Sequence, residues 1–318
     1  MEGYSVWDPS LVRGDDGRFH LFFSRWPNDQ GWPAWISHSE VCRAAGETPL
    51  GPFDFAEVVL PRRPGHWDAD NTHNPQVRRF GDSYYLLYNG NHAGAPAMHG
   101  PEDIHYGNEA WWHQRNNQRV GLAVACRPEG PWRRFDRPLI DVTPGSWDDV
   151  LTTNPSCCQT PDGRFLLVYK GVSSRNPAPY YGPVSHGVAF ADDPEGPFLK
   201  HPKPIFTCEG IDFPCEDPFI WHEDGVYHAI LKDMGTFYSS TERGLVRFRS
   251  GDVLDWTLAE EPVFCDRQLT HADGRREPVE RIERPFMYLE DGRPRVFLAG
   301  VRPSDEANYS CVVAMGIV

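Results

Sequence analysis

The chain has 318 residues, 40% hydrophobic and 24% charged, a composition that supports one sizeable core and excludes a disordered polymer. Its net charge of −14, from 31 basic against 45 acidic side chains with no dense Lys/Arg run, opposes a phosphate backbone and excludes nucleic acid as the expected partner. No apolar run reaches the roughly 18 to 20 residues that span a bilayer, and the first twenty residues lack the plan of a secretory signal, so the expectation is a cytoplasmic location without a membrane partner.

With 29 Gly and 30 Pro spread along the chain, few stretches are long enough for an ordinary helix, and an all-β fold is predicted. Five segments share one plan: a polar residue, Pro, a short apolar run, a turn usually written Asp-Gly, then a strand rich in aromatic and aliphatic residues. They begin at Asp8-Pro9, Asn74-Pro75, Asn154-Pro155, Asp217-Pro218 and Arg284-Pro285. The prolines are 66, 80, 63 and 67 residues apart, and each stands 7 or 8 residues before its turn residue (Gly17, Ser83, Gly163, Gly225, Gly292). Each segment reads as a β-hairpin, because two β-rich runs flank a turn that accepts positive φ.

A second half-repeat follows each hairpin: a strand of small residues, then a corner at Gly51-Pro52-Phe53, Gly130-Pro131-Trp132 and Gly196-Pro197-Phe198, with Asp255-Trp256 in the matching place of the fourth unit. Four strands per unit and five units predict a five-bladed β-propeller with four antiparallel strands per blade, as one domain over 1–318. The fifth unit stops after a third strand, so the segment before Asp8 is expected to complete that sheet. The surplus of the second interval falls between Asn89 and Arg119. With Trp111, Trp112, His92, His105 and His113 it is expected to be a structureless insert forming a pocket wall.

In a propeller the residue pairs before each repeated Pro converge near the axis. These pairs are Trp7-Asp8, His73-Asn74, Thr153-Asn154, Glu216-Asp217 and Glu283-Arg284. Asp and Asn suit turns ahead of Pro, but Glu216, Glu283 and Arg284 do not, so a binding or catalytic funnel is predicted. Glycosidic hydrolysis needs two carboxyl groups in unlike environments across a pocket, and Asp8 and Glu216 fit. Trp7, Trp26, Trp32, Trp111, Trp112 and Trp221 would offer flat faces to sugar rings. Lys170, Arg284 and Arg302 stand where they could reach the funnel; two facing it would favour an anionic sugar.

The thirteen His contain no HxxxH or HxH array, so no catalytic zinc is expected. The eight Cys have no CxxC spacing, and the adjacent Cys157 and Cys158 belong to a strand that puts one on each side of its sheet. No cofactor is required by any motif.

The repeat resembles the five-bladed propeller superfamily of arabinanases, β-xylosidases, invertases and levansucrases, and is most similar to glycoside hydrolase family 43. The resemblance covers nearly the whole chain and rests on short motifs. It implies a general base at Asp8, in an Asp-Pro of the first blade, and a general acid at Glu216, in a Glu-x-Pro of the fourth. It also implies an Asp in the third blade, where this chain has Asn154; Asp217 or Glu283 could supply the missing charge. Proton donation by Glu283 is the competing assignment, similar to a divergent branch related to family 117. Such relatives often hold a cation in the central channel, so a structural Ca²⁺ is possible there. The implied activity is exo-acting, inverting hydrolysis of a plant or algal oligosaccharide, with substrate-binding residues at Trp7, His73, Asn74, Asn154, Trp111, Trp112, Lys170 and Arg284. A retaining course, with Asp8 as nucleophile, and a propeller that binds glycan without cleaving it both stay open.

Overall fold

The computed structural model describes residues 1–94, 98, 100–271, 273–304, 306–307 and 310–317. Five antiparallel sheets stand around an axis. Blade 1 is built from β1 (Tyr4–Arg13), β2 (Phe19–Pro27), β3 (Glu40–Gly46) and β4 (Asp54–Leu60). Blade 2 has β5 (Asn71–Phe80), β6 (Ser83–Asn91), β7 (Arg119–Ala125) and β8 (Arg133–Arg134). Blade 3 has β9 (Leu151–Gln159), β10 (Phe165–Val172), β11 (Val184–Ala191) and β12 (Leu199–Lys200). Blade 4 has β13 (Cys215–Glu223), β14 (Val226–Asp233), β15 (Leu245–Ser250) and β16 (Thr257–Cys265). A small hairpin, β17 (Gln268–Thr270) with β18 (Arg276–Pro278), precedes blade 5, whose strands are β19 (Arg281–Glu290), β20 (Arg293–Arg302) and β21 (Cys311–Gly316).

Each predicted hairpin is the innermost pair of its blade, and the three Gly-Pro-aromatic corners lie between third and fourth strands with cis peptide bonds. Blade 5 departs from expectation. Its sheet has three strands among the described residues, and the segment before Asp8 does not complete it, because Tyr4–Trp7 is already paired with Ser24–Pro27 of β2. Closure is instead made by side chains: the Ser310 hydroxyl donates to the Val6 carbonyl (3.1 Å) and accepts from the Val6 amide (3.1 Å).

The core lies between blades, where strands rich in aliphatic and aromatic residues bury both faces. Cys157 and Cys158 divide as the strand period requires, one in the cluster between blades 2 and 3 and the other in that between blades 3 and 4. All eight cysteines are free thiols.

Blades 2 and 3 share a further device. Trp67 stacks on Tyr88 (5.9 Å between centroids) and Trp147 on Tyr169 (5.8 Å). Behind each pair is a buried carboxylate: Asp68 accepts from Tyr88 (2.7 Å), Arg63 (2.7 Å) and Arg134, and Asp148 accepts from Tyr169 (3.0 Å) and Lys200 (2.5 Å). The carboxylates satisfy phenol groups that burial would otherwise leave unpaired. No helix among the described residues is long and apolar enough to cross a membrane.

Candidate active site

The five axial residues adopt one conformation. Asp8, Asn74, Asn154, Asp217 and Arg284 have φ of 54°, 53°, 51°, 59° and 58°, and strand pairing skips at each of them. Asp and Asn reach this left-handed region at low cost, which accounts for four of the five; Arg284 is held there by its contacts. The repeated bulge brings these five side chains together at one small void, while the preceding residues Trp7, His73, Glu216 and Glu283 line a larger cavity beside it.

A closed polar ring results. The Asn74 amide donates to Asp8 Oδ2 (3.1 Å), Asn74 Nδ2 to Asn154 Oδ1 (2.9 Å), and Asn154 Nδ2 to Asp217 Oδ1 (2.7 Å). Arg284 completes it, with Nη1 2.6 Å from Asp217 Oδ1 and Nε 3.0 Å from Asp8 Oδ1. The void that these residues enclose is about 20 Å³, room for a water and not for a sugar. Nor does the ring fit a channel Ca²⁺. Oxygen ligands must surround that ion, whereas here a guanidinium already bridges the two axial carboxylates. Asn74 and Asp217 line this axial void and not the larger cavity above it.

That cavity, about 490 Å³, is where most of the predicted residues meet: Trp7, Asp8, His73, Asn154, Trp111, Trp112, Lys170, Glu216, Glu283 and Arg284 all line it. One wall is tryptophan-rich. Trp7 meets Trp32 edge to face (5.0 Å), and Trp35 meets both Trp111 (5.5 Å) and the His73 ring (5.4 Å). Gly300, opposite Glu283 on β20, makes this possible, since a Cβ there would lie 2.6 Å from Trp7. The insert is not structureless. Its helix α1 (Glu109–Asn116) is capped by the Asn108 side chain, which accepts from the Ala110 amide (3.0 Å), and the Trp111 indole donates to the Pro33 carbonyl (2.9 Å). Tyr106, Trp111, Trp112, Arg115 and Gln118 are its contribution to the cavity; His92, His105 and His113 are exposed and do not line it. Insert residues 95–97 and 99 lie outside the described residues.

The opposite wall is charged. Register sets Glu216 across from Lys232 on the neighbouring strand, yet Lys232 bonds Glu283 of the next blade, while Glu216 takes Lys170 from the preceding one. Each carboxylate thus bridges blades. Burial pushes the Glu216 carboxyl up, but Lys170, Lys232 and Arg284 together outweigh it and hold Glu216 well below the usual range. Glu283 is lowered too, Lys232 overcoming its burial. Asp8 goes the other way: it is 4% exposed, and burial raises it against the pull of Arg284 and the hydrogen bond from Ser24. Burial likewise carries Asp217 up to about 7 against Arg284.

His73 is neutral, pushed down to about 3 by burial and by Arg284. Its Nε2 donates to Gln118 Oε1 (2.8 Å), which leaves Nδ1 as a buried acceptor with no partner, available to a hydroxyl in the cavity. Two other expectations fail. Trp221 lies at the far end of blade 4, stacked on His228 (5.0 Å), because it sits five residues past Glu216 on a strand that runs away from the funnel. Arg302 does not line the cavity; its guanidinium lies 4.9 Å from the Trp32 ring, supporting that wall from behind. Residues not foreseen include Trp35, Tyr106, Arg115, Lys232, Arg243 and Arg281. Lys232 was accessible in principle, as the hairpin partner of Glu216.

Neither a protein-family model nor a curated protein matches the chain. Solved structures do. A family 117 glycoside hydrolase from the marine bacterium Zobellia galactanivorans superposes with a TM-score of 0.67 at 18% identity, over 98% of this chain and 84% of that one. A thermostable family-43 glycoside hydrolase gives 0.65 at 14% identity, over 98% and 89%. The endo-arabinase of Bacteroides thetaiotaomicron gives 0.62 at 13%, over 99% and 94%. The chain therefore has the five-bladed propeller fold of the family 43, family 117 and arabinanase glycoside hydrolases.

Proposed function

We propose that the protein is an exo-acting glycoside hydrolase in which Asp8 activates water and Glu216 protonates the departing oxygen, with inversion at the sugar carbon. The observation that carries this reading is that two carboxyl groups in unlike environments, one raised by burial and one lowered by neighbouring cations, border one saccharide-sized cavity with a tryptophan wall. The exo preference is supported by α1 and its aromatic residues, which close one side of the cavity and disfavour a through-going polymer. The resemblance to glycosidases of the same fold supports hydrolysis of an oligosaccharide without a cofactor.

In the productive form the single proton of the pair sits on Glu216 and Asp8 is ionised. In the ligand-free site Lys170 holds Glu216 low, so the leaving oxygen must replace the Lys170 ammonium as the partner of Glu216. Burial raises Asp8, against the pull of Arg284, toward the range useful to a base. Asp8→Asn and Glu216→Gln should each lower kcat by about 10²- to 10⁴-fold with Kd for the saccharide nearly unchanged. Retained turnover in both variants would refute the assignment.

A second reading, a propeller that holds a glycan without cleaving it, is favoured by one feature: Glu216 and Glu283 are each already neutralised by a lysine. Saccharide binding with no turnover in the unaltered protein would select it.

A further inference from the structure

We infer that the saccharide taken by this cavity carries a carboxylate or sulfate group, received by the guanidinium groups of Arg115 and Arg243. The inference rests on the saccharide reading of the site and adds the charge of its ligand.

Among the cations that line the cavity, Lys170 is matched by Glu216, Lys232 and Arg281 both by Glu283 (Arg281 at 3.5 Å), and Arg284 by both Asp8 and Asp217. Arg115 and Arg243 have no carboxylate within 4.0 Å among the described residues. Arg115 projects from the last turn of α1, where its side chain donates to Asn116 Oδ1 (3.0 Å) and lies 5.7 Å from the Trp112 ring centroid. It is walled off from solvent enough that burial pushes it down to about 10. Arg243 comes from the connection between β14 and β15 in blade 4, with its backbone held at φ 55° and its amide donating to the Gly235 carbonyl (3.1 Å). Its Nε is buried with no hydrogen-bond partner.

A chain with 45 acidic residues has no shortage of partners for arginine, and most other arginines here hold one. Two that are left uncompensated, on different blades and facing one cavity, have the form of a site that waits for an anion. The planar fork of guanidinium matches carboxylate and sulfate oxygens, whereas sugar hydroxyls would meet its donors without neutralising its charge. The tryptophan wall takes the ring of the same sugar unit, so the ligand is an acidic sugar and not a bare anion.

The test is calorimetric titration of the full chain at constant ionic strength with free glucuronate, galacturonate, mannuronate and iduronate, glucose 6-sulfate and galactose 6-sulfate. The neutral parents and inorganic sulfate are run alongside. At least one acidic sugar should bind tenfold or more tightly than its neutral parent, and the uronate and sulfate arms identify which group is read. Arg115→Gln and Arg243→Gln should each remove that preference; should the helix variant fail to fold, the loop variant decides. No binding by any acidic member, equal binding by a neutral parent, or a match by inorganic sulfate overturns the inference. Tight acidic-sugar binding without cleavage of the corresponding glycosides sustains it while sinking the hydrolase reading. Hydrolysis of neutral glycosides with no acidic preference does the reverse.

Discussion

Glu216 and Lys170 set the proton inventory of the site. Burial raises Asp8 while Lys170, Lys232 and Arg284 lower Glu216, so Glu216 gives up its proton at a lower pH than Asp8 does. The acid limb of kcat/KM then follows Glu216. Removing the Lys170 charge takes away what holds Glu216 low, so Lys170→Met should move that limb to higher pH, by about one unit for each 1.4 kcal/mol of lost attraction. A pH profile that stays put in Lys170→Met but moves in Lys232→Met would transfer the acid role to Glu283, whose own partner is Lys232. Asp8, Glu216 and Glu283 were legible because each breaks the turn chemistry or matches a motif beside a repeated Pro. Arg115 and Arg243 were not. They lie in an insert and a connection outside the repeat, where no period says which way a side chain faces.

At the scale of the element, the inner hairpins are the most legible part of the chain, since alternation and turn residues act over a few positions. The insert was misread: eight residues of helix between Pro- and Gly-rich flanks carry little periodicity, and α1 owes its stability to Trp111 packed under Pro33 and Trp35. The stacked Trp67 and Tyr88 pair explains why β7 needs a glycine. A Cβ on Gly121 would fall 2.6 Å from the buried Tyr88 and 2.7 Å from the partly buried Trp67 stacked on it. Gly121→Ala should cost about 1–3 kcal/mol, seen as a lower urea midpoint with an unchanged slope. No loss would mean that this layer is more loosely packed than its geometry implies.

Over the whole molecule, five blades are tied at the axis by the ring that Arg284 completes, and the guanidinium takes the place that a channel cation would hold. Excess EDTA or added calcium should leave Tm unchanged; a rise with calcium would contradict the ring described here. Arg284→Ala should cost about 3–5 kcal/mol, because it removes the cation that bridges Asp8 and Asp217 and leaves both carboxyl groups buried without it. By itself the sequence determined the blade count, the hairpins and the residues that meet at the axis, because those follow from a repeat whose physics is local and acts five times over. The tertiary structure alone decided which carboxylate takes which lysine, that the fifth blade closes through Ser310 instead of a fourth strand, and that two of the arginines lining the cavity have no carboxylate partner among the described residues. Such pairings join residues of different blades, and their energies depend on distances and burial that exist only after the ring has closed.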